Sequence, residues 1–159
     1  MDHNQILPHL HVGSCPRSRD DIDRLKKETG VTAVVNLQTE GDFSYWDIDW
    51  PVLEAYYQEA GVEVRRVPIQ DFNRDALREG LPACVEVVAG LVKEGHTVYV
   101  HCNVGVNRSP SVAIAYLHWI EGRALDEAVD HVMRCRSCDP YVEAIRLATQ
   151  DRAGAKGGG

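Results

Sequence analysis

Apolar positions recur along this chain in two rhythms. Ile6 to Gly13 (ILPHLHVG) alternates with a period of two and predicts a short edge strand. Ser18 to Gly30 (SRDDIDRLKKETG) predicts a helix, with aspartates near its start, lysines near its end and a glycine as its stop. Val31 to Leu37 (VTAVVNL) is a β-branched apolar run, as a strand buried on both faces requires. The aromatic-rich stretch Phe43 to Trp50 (FSYWDIDW) predicts a loop, and Pro51 then opens a helix that ends at Gly61. Val62 to Val67 predicts a strand, Pro68 to Asp75 a loop, and Leu81 to Gly95 a helix with Pro82 in its first turn. Thr97 to Val100 (TVYV) is the next buried strand. Three helical patterns finish the chain, at 109–122, 124–136 and 140–150.

Strands that alternate with helices imply crossover connections. The expected fold class is therefore α/β, a central, mainly parallel, twisted sheet flanked by helices. The pattern fits one domain over residues 1–150 and a flexible tail over 151–159. In such sheets a ligand binds beyond the carboxyl ends of the strands. His101 and Cys102 fall at such an end.

Composition removes several classes. A formal net charge of -7 excludes a broad nucleic-acid-binding face. No apolar run is long enough to span a membrane, and the N-terminus has no basic segment followed by an apolar one, so a cytoplasmic protein is expected. Five cysteines (Cys15, Cys84, Cys102, Cys135 and Cys138) argue against a disulfide framework. Cys135 and Cys138 form a lone CxxC without the further ligands of a zinc site, so neither metal nor cofactor is expected. In an acidic chain, any anion site must be made by a local device. The sequence carries no signal of oligomeric state.

Such a device lies between the strand Thr97 to Val100 and the helix from Ser109. The segment HCNVGVNRSP lacks the lysine of a nucleotide-binding P-loop and reads Cys-x5-Arg instead. Gly105 permits close backbone approach. Amides of Asn103, Val104, Gly105, Val106, Asn107 and Arg108 can curl into a nest at a helix N-terminus, a geometry that suits a phosphate-sized dianion. Arg108 adds a bidentate fork. A cysteine in this setting is poised to act as a thiolate nucleophile, and the Ser109 hydroxyl can assist the sulfur as it leaves.

HCNVGVNRS resembles the HCxxGxxRS signature of the cysteine-dependent protein tyrosine and dual-specificity phosphatases. The short chain and its element order resemble the dual-specificity branch over nearly all of residues 5–150. The resemblance implies that Cys102 is the nucleophile, that Arg108 binds phosphate and stabilises the transition state, and that Ser109 assists thiolate release. Cleavage of a phosphomonoester also needs a proton for the leaving alkoxide. Asp71, on the loop after the Val62–Val67 strand and 31 residues before Cys102, is the leading candidate, at a separation like that in the family. Asp75 is the reserve candidate.

Four further segments resemble a narrower family, laforin and the plant phosphoglucan phosphatases. They are LHVGSCPRSRDDIDRLKKETGVTAVVNLQTEGDFSYWDID, IQDFNRDALREGLP, AIAYLHWIEG and CRSCDPYVEAIRLATQD. By that resemblance Tyr45, Trp46 and Phe72 line a glucan channel, aromatic faces being suited to stacking on sugar rings; read from the residues alone, core packing is an equal alternative for each. The family's loop usually reads Cys-x-Ala-Gly-x-Gly-Arg, whereas this chain has Val104 and Asn107, and the Asn107 side chain is expected either to narrow the site or to change substrate preference. The segment Arg134 to Arg136 is the main cluster of basic residues near the expected mouth, or only a set of cations that complement a helix dipole. The leading function is thus phosphate release from phosphorylated glucan. The competing readings are a dual-specificity protein phosphatase acting on phosphotyrosine and phosphoserine or phosphothreonine, and a catalytically dead phosphate-binding adaptor.

Overall fold

The computed structural model of the chain describes residues 1–157. Its sheet has five strands in the order β1-β2-β5-β3-β4. These are β1 His3–Leu7, β2 Leu10–Gly13, β3 Ala33–Asn36, β4 Glu63–Arg66 and β5 Val98–His101. β2, β5, β3 and β4 run parallel, and β1 pairs antiparallel with β2 along one edge. Side chains of the central strands alternate between two cores, as a pleated strand dictates. Val98, Val100, Ala33 and Val35 face α4 (Arg74–Lys93), α5 (Arg108–Trp119), α6 (Leu125–Cys135) and α7 (Val142–Gly157). Tyr99 and Val34 face α1 (Arg19–Thr29) and α3 (Trp50–Glu59). The α/β expectation holds, with helices on both faces. Among the described residues no helix is long and apolar enough to cross a membrane.

Four elements differ from the sequence pattern. Ile6–Gly13 is not one edge strand: a turn at Pro8-His9 splits it, so β1 is the edge and β2 lies inside the sheet, buried at every residue. The expected loop Phe43–Trp50 begins inside a short helix, α2 (Glu40–Tyr45). Its signal is a capping box: the Thr39 hydroxyl accepts from the Asp42 amide, and the Asp42 carboxylate accepts from the Thr39 amide. Six residues are too few to show a helical period. α4 starts at Arg74 rather than Leu81, because the Asn73 side chain caps it by accepting from the Ala76 amide at 2.9 Å. Pro82 therefore sits inside the helix. Finally, α7 runs on through Gly157, into the expected tail. There Asp151 pairs with Arg78 at 2.7 Å and Arg152 lies over the Trp119 ring. Residues 158–159 lie outside the described residues.

The strand ends bear on function. Gly13, Asn36 and His101 are level across β2, β3 and β5, so the chain leaves three adjacent parallel strands at one edge of the sheet. Cys102 follows at once.

Candidate active site

The loop between β5 and α5 is closed by hydrogen bonds made from outside it. The Asn103 carbonyl accepts from the Cys15 amide at 2.9 Å. Arg136 donates to the Val104 and Gly105 carbonyls at 3.0 and 2.7 Å. The Asp139 amide donates to the Val106 carbonyl at 2.7 Å, and the Asn107 carbonyl accepts from the Ser111 amide and hydroxyl. Every carbonyl from Asn103 to Asn107 thus has a partner. In a trans peptide the N–H points opposite to the preceding C=O. Holding these five carbonyls therefore aims the amides of Val104, Gly105, Val106, Asn107 and Arg108 the other way. Among the described residues no acceptor takes the amides of residues 103–107, so they remain available to an anion. Gly105 makes this possible: its φ is 71°, and a Cβ there would lie 2.6 Å from the Gly13 carbonyl oxygen.

Cys102 sits at the foot of this concavity, 3% exposed, with its Sγ 3.3 Å from the Ser109 Oγ. His101 is fully buried, and burial holds it neutral, its pKa pushed down to about 4. Its Nδ1–H donates to the Cys102 carbonyl at 2.9 Å. Cys15, whose backbone touches the loop, is also buried, and burial pushes its thiol up to about 11.

Arg108 is 1% exposed at the start of α5. Its NH1 donates to Asp42 Oδ2 and to the Ile69 carbonyl, each at 2.8 Å. Among the described residues its Nε and NH2 have no hydrogen-bond partner. NH2 lies 3.2 Å from Asp71 Oδ2, close enough for an ion pair but not aligned as a hydrogen bond. A buried guanidinium with one edge anchored and the other edge free is a seat for two oxygens of an anion.

Asp71 lies on the loop before α4, half-buried, and its Oδ1 accepts from the Phe72 amide at 3.0 Å. The structure brings it beside Arg108. Asp75 lies in the first turn of α4, where it complements the helix dipole. The Asn107 side chain does not narrow the site as expected. Its Nδ2 donates outward to the Asp139 carbonyl at 2.8 Å.

Sequence reasoning missed three residues that shape the site. Asp42 accepts from Arg108 and from the Asn103 side chain at 2.9 Å. Burial alone would raise its pKa, but the bonds from Arg108, the Thr39 amide and Asn103 outweigh burial and hold it below the usual value. Gln38 donates to Asn103 Oδ1 at 2.9 Å. Arg136, read as a dipole complement, is instead buried against the loop. The Thr39-x-x-Asp42 spacing was the only local signal for any of them.

A cavity of about 450 Å³ opens beside the loop, lined in part by Asp42, Tyr45, Trp46, Asp71, Phe72 and Val104. All three aromatic residues expected in a glucan channel are among its walls. Phe43 and Trp50, from the same aromatic stretch, turn the other way: they stack at 5.2 Å, with Arg66 over both rings.

A model of the dual specificity phosphatase catalytic domain matches residues 10–146. The chain belongs to that family. It is 35% identical to the chloroplastic phosphoglucan phosphatase LSF1 of Arabidopsis thaliana, a match covering 95% of this chain and 25% of that protein. It is also 35% identical to laforin of Mus musculus, covering 95% of this chain and 49% of laforin. The chain thus spans a quarter to a half of the length of these relatives. Among solved structures PTPMT1 matches with a TM-score of 0.77 at 20% identity, covering 99% of each chain. Tk-PTP in its active form matches at 0.75 and 24% identity, covering 94% of each. Both structures share the dual specificity phosphatase member's fold.

Proposed function

We propose that this chain is a cysteine-dependent phosphoric monoester hydrolase that removes phosphate from phosphorylated glucan. The observation that carries the phosphatase reading is the buried Arg108 at the end of the Cys102 loop, whose Nε and NH2 make no hydrogen bond among the described residues, together with the loop amides that no acceptor there takes. A phosphate dianion takes those donors. The Cys102 thiolate attacks phosphorus, the P–O bond to the alkoxide breaks, and Asp71 gives the leaving oxygen its proton. Occupation of Arg108 by phosphate competes with its contact to Asp71 and frees that carboxyl group for the transfer. Water then attacks the phosphocysteine, Asp71 takes a proton from it, and the P–S bond breaks. Ser109, 3.3 Å from the sulfur, donates to the departing thiolate.

The glucan assignment rests on the rim. Tyr45 and Phe72 are 81% and 88% exposed beside the phosphate seat, and a neutral sugar chain is compatible with the acidic surface. The two 35%-identical relatives support it by name. Five unpaired cysteines suit a reducing compartment, and we assign the cytoplasm.

The test compares phosphate release from phosphorylated amylopectin and from a phosphopeptide panel, each normalised to an aryl phosphate. Preference for the glucan is expected. Preference for phosphopeptides would replace the glucan reading with a protein phosphatase. Cys102→Ser should abolish turnover on every substrate while the fold persists, and residual turnover would rule out the covalent route.

A further inference from the structure

Arg136 has no part in the chemistry above, yet it is buried against the loop and donates to two of its carbonyls. It follows α6 in extended backbone, φ −148° and ψ 137°, and is 5% exposed. Its planar group is used on two sides. Nε and NH2 hold the Gly105 and Val104 carbonyls at 2.7 and 3.0 Å. NH2 also reaches Asp2 Oδ1 at 2.7 Å, and NH1 reaches Asn4 Oδ1 at 3.0 Å. The first pair belongs to the phosphate loop and the second to the N-terminal edge of the sheet.

We propose that Arg136 is a positioning residue of the phosphate seat, a buried fork that turns two successive loop carbonyls outward and so aims the Gly105 and Val106 amides at a bound oxyanion. The inference rests on the phosphatase reading and deepens it. Each peptide unit is rigid, so the direction of a carbonyl fixes that of the next N–H. Two adjacent carbonyls held from one side need a donor with two fixed arms, which guanidinium provides and ammonium does not. The space is closely filled: a Cβ on Gly105 would lie 2.5 Å from Arg136 NH2. The fork is itself anchored, since Asp2 and Asn4 take the donors that the loop leaves over. Asp2 registers the contact, its carboxyl group held below the usual range chiefly by the Arg136 hydrogen bond.

The test uses the full chain and three variants, Arg136→Lys, Arg136→Gln and Asp2→Ala. Inhibition by vanadate of aryl phosphate hydrolysis reads the oxyanion seat. The pH profile of Cys102 alkylation and the thermal midpoint are followed in parallel. Arg136→Lys keeps the charge but loses the fork, and both Arg136 variants should weaken vanadate inhibition by about tenfold to a hundredfold, the scale expected when catalytic geometry slips. The alkylation profile should move to higher pH in both, because the aimed amides favour the thiolate. Asp2→Ala removes one anchor and should weaken vanadate severalfold, a readout that survives if the Arg136 variants do not fold. Full recovery of vanadate affinity in Arg136→Lys but not in Arg136→Gln would mean that charge alone matters and would overturn the proposal. So would wild-type affinity in both variants well below their melting midpoints, or an unchanged value in Asp2→Ala. A wild-type chain insensitive to vanadate and inert to aryl phosphate would instead remove the phosphatase reading itself.

Discussion

The phosphate loop and the aromatic rim face the same cavity and are built by opposite means. In the loop every carbonyl from Asn103 to Asn107 has a partner, and Cys102 and Arg108 are buried to 3% and 1% exposure. At the rim Tyr45 and Phe72 stand almost free, 81% and 88% exposed. Phe72 also has a φ of 54°, uncommon for a bulky residue, and this backbone is held by its own amide bonding to Asp71. A seat for one small dianion rewards rigidity, since its donors must be set before the charge arrives. The proposed surface for stacking on a polymer rewards exposed apolar area. Side chains at the rim can thus change with little cost in stability, and side chains around the loop cannot.

Asp71 and Asp75 sharpen this contrast most, because they lie four residues apart and only Asp71 reaches Arg108. Asp71→Ala should slow substrates with poor leaving groups by about 10²–10⁴, the usual contribution of a general acid. An activated aryl phosphate, whose leaving group needs less protonation, should lose less. Asp75→Ala should do little to either rate. Equal losses on both substrates, or a larger effect at Asp75, would reassign the acid.

The loop was legible in the sequence because its parts are neighbours. Cys102, Gly105, Arg108 and Ser109 fall within eight residues, and a strand before and a helix after them fix their setting. The partners that complete it were not legible. Asp42 and Arg136 meet the loop from elements far away in the chain, and apart from the Thr39-x-x-Asp42 spacing, which marks only a helix cap, the residues flanking them give no hint of that meeting. The fold class was readable from periodicity, since buried strands alternate with amphipathic helices. The boundaries failed where a side chain overrode the pattern, as at the Asn73 cap of α4, or where an element was too short to show a period, as in α2. At the rim, composition showed a cluster of aromatic residues but not which ones pack inward. Phe43 is 4% exposed while Tyr45, two residues on, is open to solvent.

That division can be tested directly. Phe43→Ala empties a site beside Trp50 and Arg66 and should cost ~3 kcal/mol of stability, as buried phenylalanines do. Glucan and aryl phosphate activities should then fall together as the protein melts. Phe72→Ala should leave the thermal midpoint near its wild-type value. It should lower phosphate release from glucan by about tenfold, or ~1–2 kcal/mol, for the loss of one stacking face. The aryl phosphate reaches only the loop and should be hydrolysed normally. A parallel loss of both activities and of stability in Phe72→Ala would move that ring into the core and end the contrast.

Asp42 joins the two regions, and its charge offers the smallest and most specific test. It caps the helix that carries Tyr45, and its carboxylate also accepts from Arg108 and Asn103 in the loop region. Its pKa in the fold lies below the ordinary value of 3.8, because those donors outweigh its burial. A carboxyl group depressed by folding stabilises the native state above its unfolded pKa and loses that contribution as the pH falls through its folded pKa. Asp42→Asn keeps the shape and one oxygen that still accepts from Arg108 and the Thr39 amide, but its NH2 cannot accept from Asn103, so it should cost ~1–2 kcal/mol for one weakened and one lost hydrogen bond. The difference in thermal midpoint between wild type and Asp42→Asn should be steady from pH 7 down to about pH 5 and shrink below pH 4, where wild type gains the proton. Melting curves of both proteins at matched ionic strength across that range check it. A difference that persists undiminished at the lowest pH would mean that Asp42 acts there through shape alone, and the loop and rim would then share a scaffold without sharing a charge.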